Sequence, residues 1–290
     1  MMLALIVIFV QIYLIFPFTP FAELEVHPAE EGLKSTSISI FISNVLMTNR
    51  GSAELKKLIF EYNPEIVLLT ETDSWWVENL TELDSVYPFS LKVPLPNTYG
   101  MIFYSKLKLH QPQIQYLVQK DIPSVHTYIE LKTGELIEFF GLHPRPPIPG
   151  NYESDERDAE ILIAGRELAE SSYPAILTGD LNDVAWSAST ELFKEVSETL
   201  DPRVGRGLFN TFNAHWFFVR WPLDHIFLSE DFFLMDFQRV DEHFGSDHFP
   251  IFIKLKLDPA ADVYNQPPEA DAEEINKAGE IIEEALNENK

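Results

Sequence analysis

Cysteine is absent from the chain, which excludes disulfide staples, thiolate zinc sites and a cysteine nucleophile. Basic residues are scarce: 21 Lys and Arg face 46 Asp and Glu, a formal charge of −25 at pH 7. A protein that grips long duplex nucleic acid needs a basic surface to displace counterions, and this one carries the opposite sign. Any phosphate-bearing ligand must be met by local cations, either a bound metal or a few placed arginines. No Lys or Arg precedes Lys34, so a signal peptide's basic n-region is missing and the positive-inside rule has nothing to count. Walker loops, serine-nucleophile motifs and His-x-x-x-His zinc helices are missing as well. What remains is chemistry built on oxygen ligands and imidazole.

The first sixteen residues are apolar except for Gln11, and Pro17 and Pro20 follow. As a helix this run spans about 24 Å at ~1.5 Å per residue, slightly short of the roughly 30 Å of a bilayer core. We read residues 1–21 as a hydrophobic membrane anchor, with room for further spans upstream, and residues 22–34 as a polar linker. A chain beginning at Gly32 is then expected to fold. Residues 35–257 carry globular patterning. Residues 258–290 hold ten acidic residues and two lysines, the composition of a mobile solubilising tail, with a partner-docking helix as the lesser reading.

Within the globular part, Ser37–Ile42 alternates as a strand, Ser52–Glu61 has a helical apolar period, and Ile66–Leu69 is a short buried-strand run. Further strands are expected at Met101–Tyr104, Val125–Leu131, Leu136–Leu142, Ala175–Thr178, His225–Leu228 and Phe249–Leu255, with helices at Asp155–Glu170 and Ser189–Glu198. Many strands with few intervening helices make a layered α+β domain with two sheets.

Polar residues recur where these strands end. Asn44 and Glu71 follow the first two strands, and His143 ends a third. Asp180 and Asn182 sit in Gly179-Asp180-Leu181-Asn182-Asp183, Asp224 opens Asp224-His225-Ile226-Phe227, and Asp247-His248 precede the last strand. Alone, each is an ordinary turn residue; in concert they suit chemistry. Asn44, Glu71 and Asp247 are hard oxygen donors of the kind Mg²⁺ or Mn²⁺ prefers. The two-residue strand period aims Asp180 and Asn182 the same way, and a histidine paired with a buried carboxylate can act as a base. Arg145, Arg203, Arg206 and Arg220 flank these positions as a candidate phosphate-binding rim. Trp75, Trp76, Trp216 and Trp221 divide between cleft lining and core packing.

Together these residues resemble the endonuclease/exonuclease/phosphatase superfamily. The matching elements are Ser43-Asn44-Val45, Leu69-Thr70-Glu71, His143, Gly179 to Asp183, Leu223-Asp224-His225 and Ser246-Asp247-His248. His143 to Pro147 and Trp221 to His225 further resemble its bacterial membrane-anchored branch. The resemblance implies a four-layered α/β/β/α sandwich of deoxyribonuclease I type and metal-dependent phosphoester hydrolysis by in-line attack of water. It makes Glu71 the principal ligand of Mg²⁺ or Mn²⁺, helped by Asn44 and Asp247. Asp180 and Asn182 orient the water and phosphoryl oxygens. His248, oriented by Asp224, is the base or transition-state stabiliser, and His143 steadies charge at the phosphorus or leaving group. Leu46 departs from branches with an acidic residue there, which favours a single ion. The resemblance also favours an extracytoplasmic domain, and no obligate protein partner is inferred, so a monomer is expected. A nuclease for short or single-stranded nucleic acid, and a non-catalytic binding protein of the same fold, are the alternatives.

Overall fold

The structure is a computed structural model that describes residues 2–30, 37–147 and 154–289. The expected boundary between residues 34 and 35 lies outside these. Eleven strands form two sheets among the described residues. The first contains β1 (Ser37–Asn44), β2 (Ile66–Thr70), β3 (Phe89–Val93), β4 (Met101–Ser105), β10 (Phe232–Arg239) and β11 (Ile251–Leu257), in the order β10-β11-β1-β2-β4-β3. The second runs β5-β6-β7-β8-β9, with β5 Lys108–Gln115, β6 Ser124–Glu130, β7 Leu136–Leu142, β8 Ala175–Asp180 and β9 Asp224–Leu228. Six helices accompany them: α1 (Met2–Ile15), α2 (Ser52–Tyr62), α3 (Ser74–Asn79), α4 (Asp155–Ala169), α5 (Ala188–Ser197) and α6 (Ala272–Glu288).

Alternation along the strands explains the layering. Ile38, Ile40 and Ile42 of β1 and Ile66 and Leu68 of β2 point between the sheets, where they meet Phe139, Ile176 and Ile226 of the second sheet. Their neighbours Phe41, Val67 and Leu69 point the other way, onto Leu55, Leu58 and Ile59 of α2 and Trp76 of α3. The second sheet repeats the device with Phe140, Leu177 and Phe227 facing Ile161 and Leu162 of α4 and Phe193 of α5. Apolar faces on both sides of both sheets give the α/β/β/α order. Strands β3, β5 and β10 were not expected as strands. Each is an edge strand; β3 and β5 have no fully buried residue and β10 buries only Phe232 and Leu234, so a strong burial pattern is lacking.

Both chain ends differ from expectation. The acidic tail is not loose: Asp271 caps α6 with a full capping box, Ala278 and Ala285 are fully buried, and Arg166 of α4 reaches the Ile275 carbonyl at 3.0 Å. Small residues every seven positions let α6 lie close against α4 while its acidic face stays wet.

The presumed linker is likewise part of the fold. Val26 is fully buried in the inter-sheet core, Pro28 bridges to Leu234 of β10, and Glu25 pairs with Lys194 at 2.7 Å. Phe18 is buried against Ala185 and Val204. Only α1 stands apart, with Phe9 and Tyr13 each 72% exposed; no helix among the described residues is long and apolar enough to cross a membrane. The truncation expectation reverses accordingly. Starting at Gly32 removes Val26, worth about 1.5–3 kcal/mol of burial, and leaves the buried Lys194 ammonium unpaired at a similar or larger cost. Thermal melts should show that chain losing several degrees, whereas a chain beginning at Phe16, which keeps the buried Phe18, should melt like the parent. Equal melting of the two would place residues 16–30 outside the cooperative unit.

Candidate active site

The strand directions bring one end of both sheets together. Parallel β1 and β2 exit at Asn44 and Glu71, parallel β7 and β8 exit at His143 and Asp180, and antiparallel β9 and β11 enter the same end at Asp224 and just after His248. Two sheets therefore each contribute residues to a shared rim.

Asp180 is its hub. The carboxylate is 1% exposed, and its Oδ2 accepts from Asn44 Nδ2 at 2.9 Å. The same oxygen faces His248 Nε2 at 3.6 Å and His143 Nε2 at 3.8 Å. His248 Nδ1 meets Asp224 Oδ2 at 2.8 Å. Burial alone would push the His248 ring down, but the Asp224 carboxylate and then Asp180 lift it to about 10. The ring is thus an imidazolium at neutral pH, and Asp224 is held below the usual carboxylate range as its counter-ion despite burial. Burial wins at Asp180, which is raised in spite of both histidines. Donor atoms of Asp180, Asp224 and His248 lie within 4.8 Å of one another, a spacing that could also hold a cation.

The dyad arises by a different route than the sequence suggested. A hairpin between neighbouring strands was expected to place Asp224 beside His248, yet β9 and β11 belong to different sheets. The sandwich's facing ends close the distance instead.

Glu71 sits beside this hub. Its Oε1 accepts from Asn44 Nδ2 at 2.9 Å and its Oε2 from the Met47 amide at 3.2 Å. Asn44 Oδ1 accepts the Leu46 amide at 2.9 Å. The Asn44 amide nitrogen is therefore turned toward carboxylates on both sides and its oxygen toward the Leu46 amide. Asp247 is raised by burial and, among other charges, by the nearby Glu71, and its buried Oδ1 has no hydrogen-bond partner among the described residues. Two mutually repelling carboxylates, one with an orphaned buried oxygen, fit a hard divalent cation.

Backbone strain collects here. Leu46 (φ 56°), Glu71 (φ 60°) and Asn182 (φ 53°) all occupy the left-handed region, which non-glycine residues seldom adopt away from functional sites. Gly179 has φ 147°, and a Cβ there would fall 1.8 Å from the Leu142 carbonyl oxygen, so only glycine lets β8 approach β7. The chain turns as it leaves β8, and the strand-period argument for Asn182 fails. Its amide N–H bonds Asp180 Oδ1 at 3.1 Å, and its Nδ2 bonds the Pro144 carbonyl at 3.0 Å, tying the two strand exits together.

Two of the four expected rim arginines are engaged in the interior. Arg203 is 1% exposed and bound to Asp201, so it cannot reach a ligand. Arg206 spends its guanidinium on the Pro202 and Val26 carbonyls. Both have structural duties that a sequence position cannot reveal. Arg145 lies beside the Tyr99 hydroxyl, and the Tyr99 ring centre is 5.7 Å from that of His143. Arg220 stacks over Phe217 and over Phe249, which directly follows His248 in sequence. Trp76 is core, and Trp75 packs edge-on against it under Arg50, whereas Trp216 and Trp221 are exposed.

Four site residues escaped the sequence reading. Tyr99 flanks His143; Thr211 Oγ1 accepts the Asp224 amide; and Phe212 lies 5.0 Å from the His248 ring. Ser246, whose neighbours were singled out, donates to the Asn44 carbonyl at 2.7 Å and accepts the His248 amide at 3.1 Å. Only Ser246 carried a signal, its adjacency to Asp247-His248.

Comparison with known proteins agrees with this architecture. The profile of the Endonuclease/Exonuclease/phosphatase family matches residues 43–248. Similar solved structures include Danio rerio TDP2 complexed with a single-strand DNA product, at 16% identity and TM-score 0.63, covering 76% of this chain and 99% of that one. The catalytic domain of human Nocturnin with bound sulfate is 15% identical, with TM-score 0.63, 77% of this chain and 95% of that one. An endonuclease/exonuclease/phosphatase family protein from Bacteroides thetaiotaomicron is 19% identical, with TM-score 0.59 and coverage of 77% and 96%. At these identities the likeness is one of fold. Comparison with curated protein sequences gives no significant match.

Proposed function

Because the chain belongs to the endonuclease/exonuclease/phosphatase family, we propose that it is a divalent-metal-dependent phosphoesterase, tethered to a membrane, that hydrolyses a phosphodiester or phosphomonoester by in-line attack of water. The observation that carries this reading is the convergence of Asn44, His143 and His248 on the buried Asp180 carboxylate, with Glu71 alongside.

Glu71 and Asp247 would hold Mg²⁺ or Mn²⁺, oriented by Asn44, and a bound ion offsets charge developing on the phosphoryl oxygens. The protein's own groups do the rest. Asp180, raised by burial, accepts a proton from the attacking water and aligns it. His248 already carries its proton and serves as a fixed positive charge facing the phosphorane-like transition state, held by Asp224. Of its two expected roles, this supports the stabiliser. His143 Nδ1 is buried without a partner among the described residues, so its ring is free to meet a phosphoryl or leaving-group oxygen. Asn182 keeps the Asp180 turn in register, and Arg145 and Arg220 supply the local positive charge at the rim.

Tethering is supported by α1, apolar and exposed from Leu5 to Tyr13, and by Trp216, Phe217 and Phe218, the last 92% exposed. Aromatic residues with a neighbouring arginine suit a lipid interface. We take the substrate to be small or lipid-linked and, on the resemblance to the membrane-anchored branch, the domain to be extracytoplasmic. A nuclease for short single strands is the second reading, favoured by the exposed Trp216 and Trp221, on which bases can stack.

The full chain in detergent should be assayed on small phosphomonoesters and diesters, lipid phosphates and a short single-stranded oligonucleotide, with Mg²⁺, Mn²⁺ or excess chelator. Turnover in metal that chelator abolishes is expected. Preference for the oligonucleotide selects the nuclease reading, and undiminished turnover in chelator refutes the metal-dependent one.

A further inference from the structure

We infer that the N-terminal segment Ala22–Ala29 is a positioning element of the active site, acting through Glu25 on the backbone of Asp224. The inference rests on the reading of the Asp224–His248 pair given above.

The loop from Asp201 to Arg206 is clamped between this segment and β9. On the segment side, Arg206 Nη2 bonds the Val26 carbonyl at 2.6 Å, and just before the segment the Pro17 carbonyl accepts the Gly205 N–H at 2.8 Å. Glu25 Oε2 accepts the Asp201 amide at 2.8 Å, while its Oε1 takes Lys194 Nζ at 2.7 Å. On the far side, Arg203 grips Asp201 with Nε at 2.9 and 3.0 Å and Nη2 at 2.6 Å. The same guanidinium reaches His225 Nδ1 at 2.7 Å and the Asp224 carbonyl at 3.5 Å.

His225 completes the bracket. It is fully buried, and burial and then Arg203 push its ring down to about 3, so it is neutral. Arg203 can only donate, which makes Nδ1 the acceptor and leaves Nε2–H to donate to the Asp183 carbonyl at 2.9 Å. One end of the chain of contacts thus holds the main chain of Asp224. The other holds the turn that carries Asp180 and Asn182. The bracket sets the spacing between the two strands whose carboxylates face His248.

Stability alone is a poor explanation for this arrangement. Ion pairs buried this deeply seldom outperform apolar residues of equal volume. A chain of directional bonds does fix geometry, and misplacing reacting groups by an ångström costs heavily in rate. No part of the bracket touches Glu71 or Asp247.

The test uses the full chain, with Glu25→Ala, Glu25→Gln and, as control, Glu30→Ala at an exposed position just beyond the segment. Glu25→Ala should lower kcat about tenfold with KM and divalent-ion affinity within about twofold. Glu30→Ala should match the parent. Pairing Glu25→Gln with Lys194→Met, which leaves no buried ammonium unpaired, should recover most of the rate. In an Asp224→Asn background, Glu25→Ala should cost less than about twofold more. A full tenfold loss there would overturn the inference, because it would mark general destabilisation. Nitrogen-15 spectra of labelled histidines supply a readout independent of turnover: Glu25→Ala should shift the His225 and His248 ring signals and leave His143 in place. Unmoved His248 signals would overturn the inference. A parent protein inactive on every phosphoester would overturn the functional reading, while the spectra would still decide the positioning role.

Discussion

His248→Ala should lower the rate by about 10²–10⁴-fold, the range for one positioned group acting on the reacting atoms, and Asp224→Asn should come close behind. The asparagine fills the same space at 2.8 Å from the ring but removes the charge that keeps His248 protonated. Because the carboxylate works only through that ring, the double variant should be little worse than the more damaged single. Steady-state kcat/KM for the four proteins measures this directly. His243 is the proper comparator: it is exposed, and its ring lies edge-on 5.6 Å from His215. His243→Gln should change kcat/KM by no more than about twofold. His225, adjacent to Asp224, is unsuitable because it is buried in the Arg203 bracket, and its loss would disturb folding as well as chemistry. Losses that add across Asp224 and His248, or a larger loss at His243, would assign the role elsewhere.

The strand-end residues were legible because a two-layered sheet gathers its loops at its edges, and Asn44, Glu71, His143, Asp180, Asp224 and His248 all arrive there. Strand alternation likewise exposed both cores. Three things were hidden for physical reasons. Glu25 and Val26 look like linker because a single buried valine and one buried ion pair leave no periodic trace. Arg203 and Arg145 look alike in sequence, yet one neutralises Asp201 in the interior and the other faces Tyr99 at the rim; only tertiary burial separates them. And Leu46, Glu71 and Asn182 adopt left-handed backbone, which their side chains give no reason to expect, so the contacts of Glu71 with the Met47 amide and of Asn44 with the Leu46 amide could not be read from strand periodicity.

Glu71→Gln should weaken divalent-ion binding by at least about 100-fold, and with it abolish turnover at ordinary metal concentrations. The substitution is nearly isosteric, and the half-buried side chain keeps its acceptor toward Met47, so the fold should survive. What disappears is one of the two negative charges aimed at the ion, and hard cations are held chiefly by such charge. Asn44→Ala should do less, about 10–100-fold, as expected for a group that orients a ligand without contacting the ion. Isothermal titration with Mn²⁺ ranks the variants. Thermal melts give a second measure, since ion at ~100 times its dissociation constant stabilises the fold by about 2.7 kcal/mol. That increment should vanish in Glu71→Gln and persist in His248→Ala. Parental affinity in Glu71→Gln would remove Glu71 from the metal site. Loss of the increment in His248→Ala instead would shift the ion to the Asp180–Asp224–His248 cluster, whose donors lie close enough to hold one.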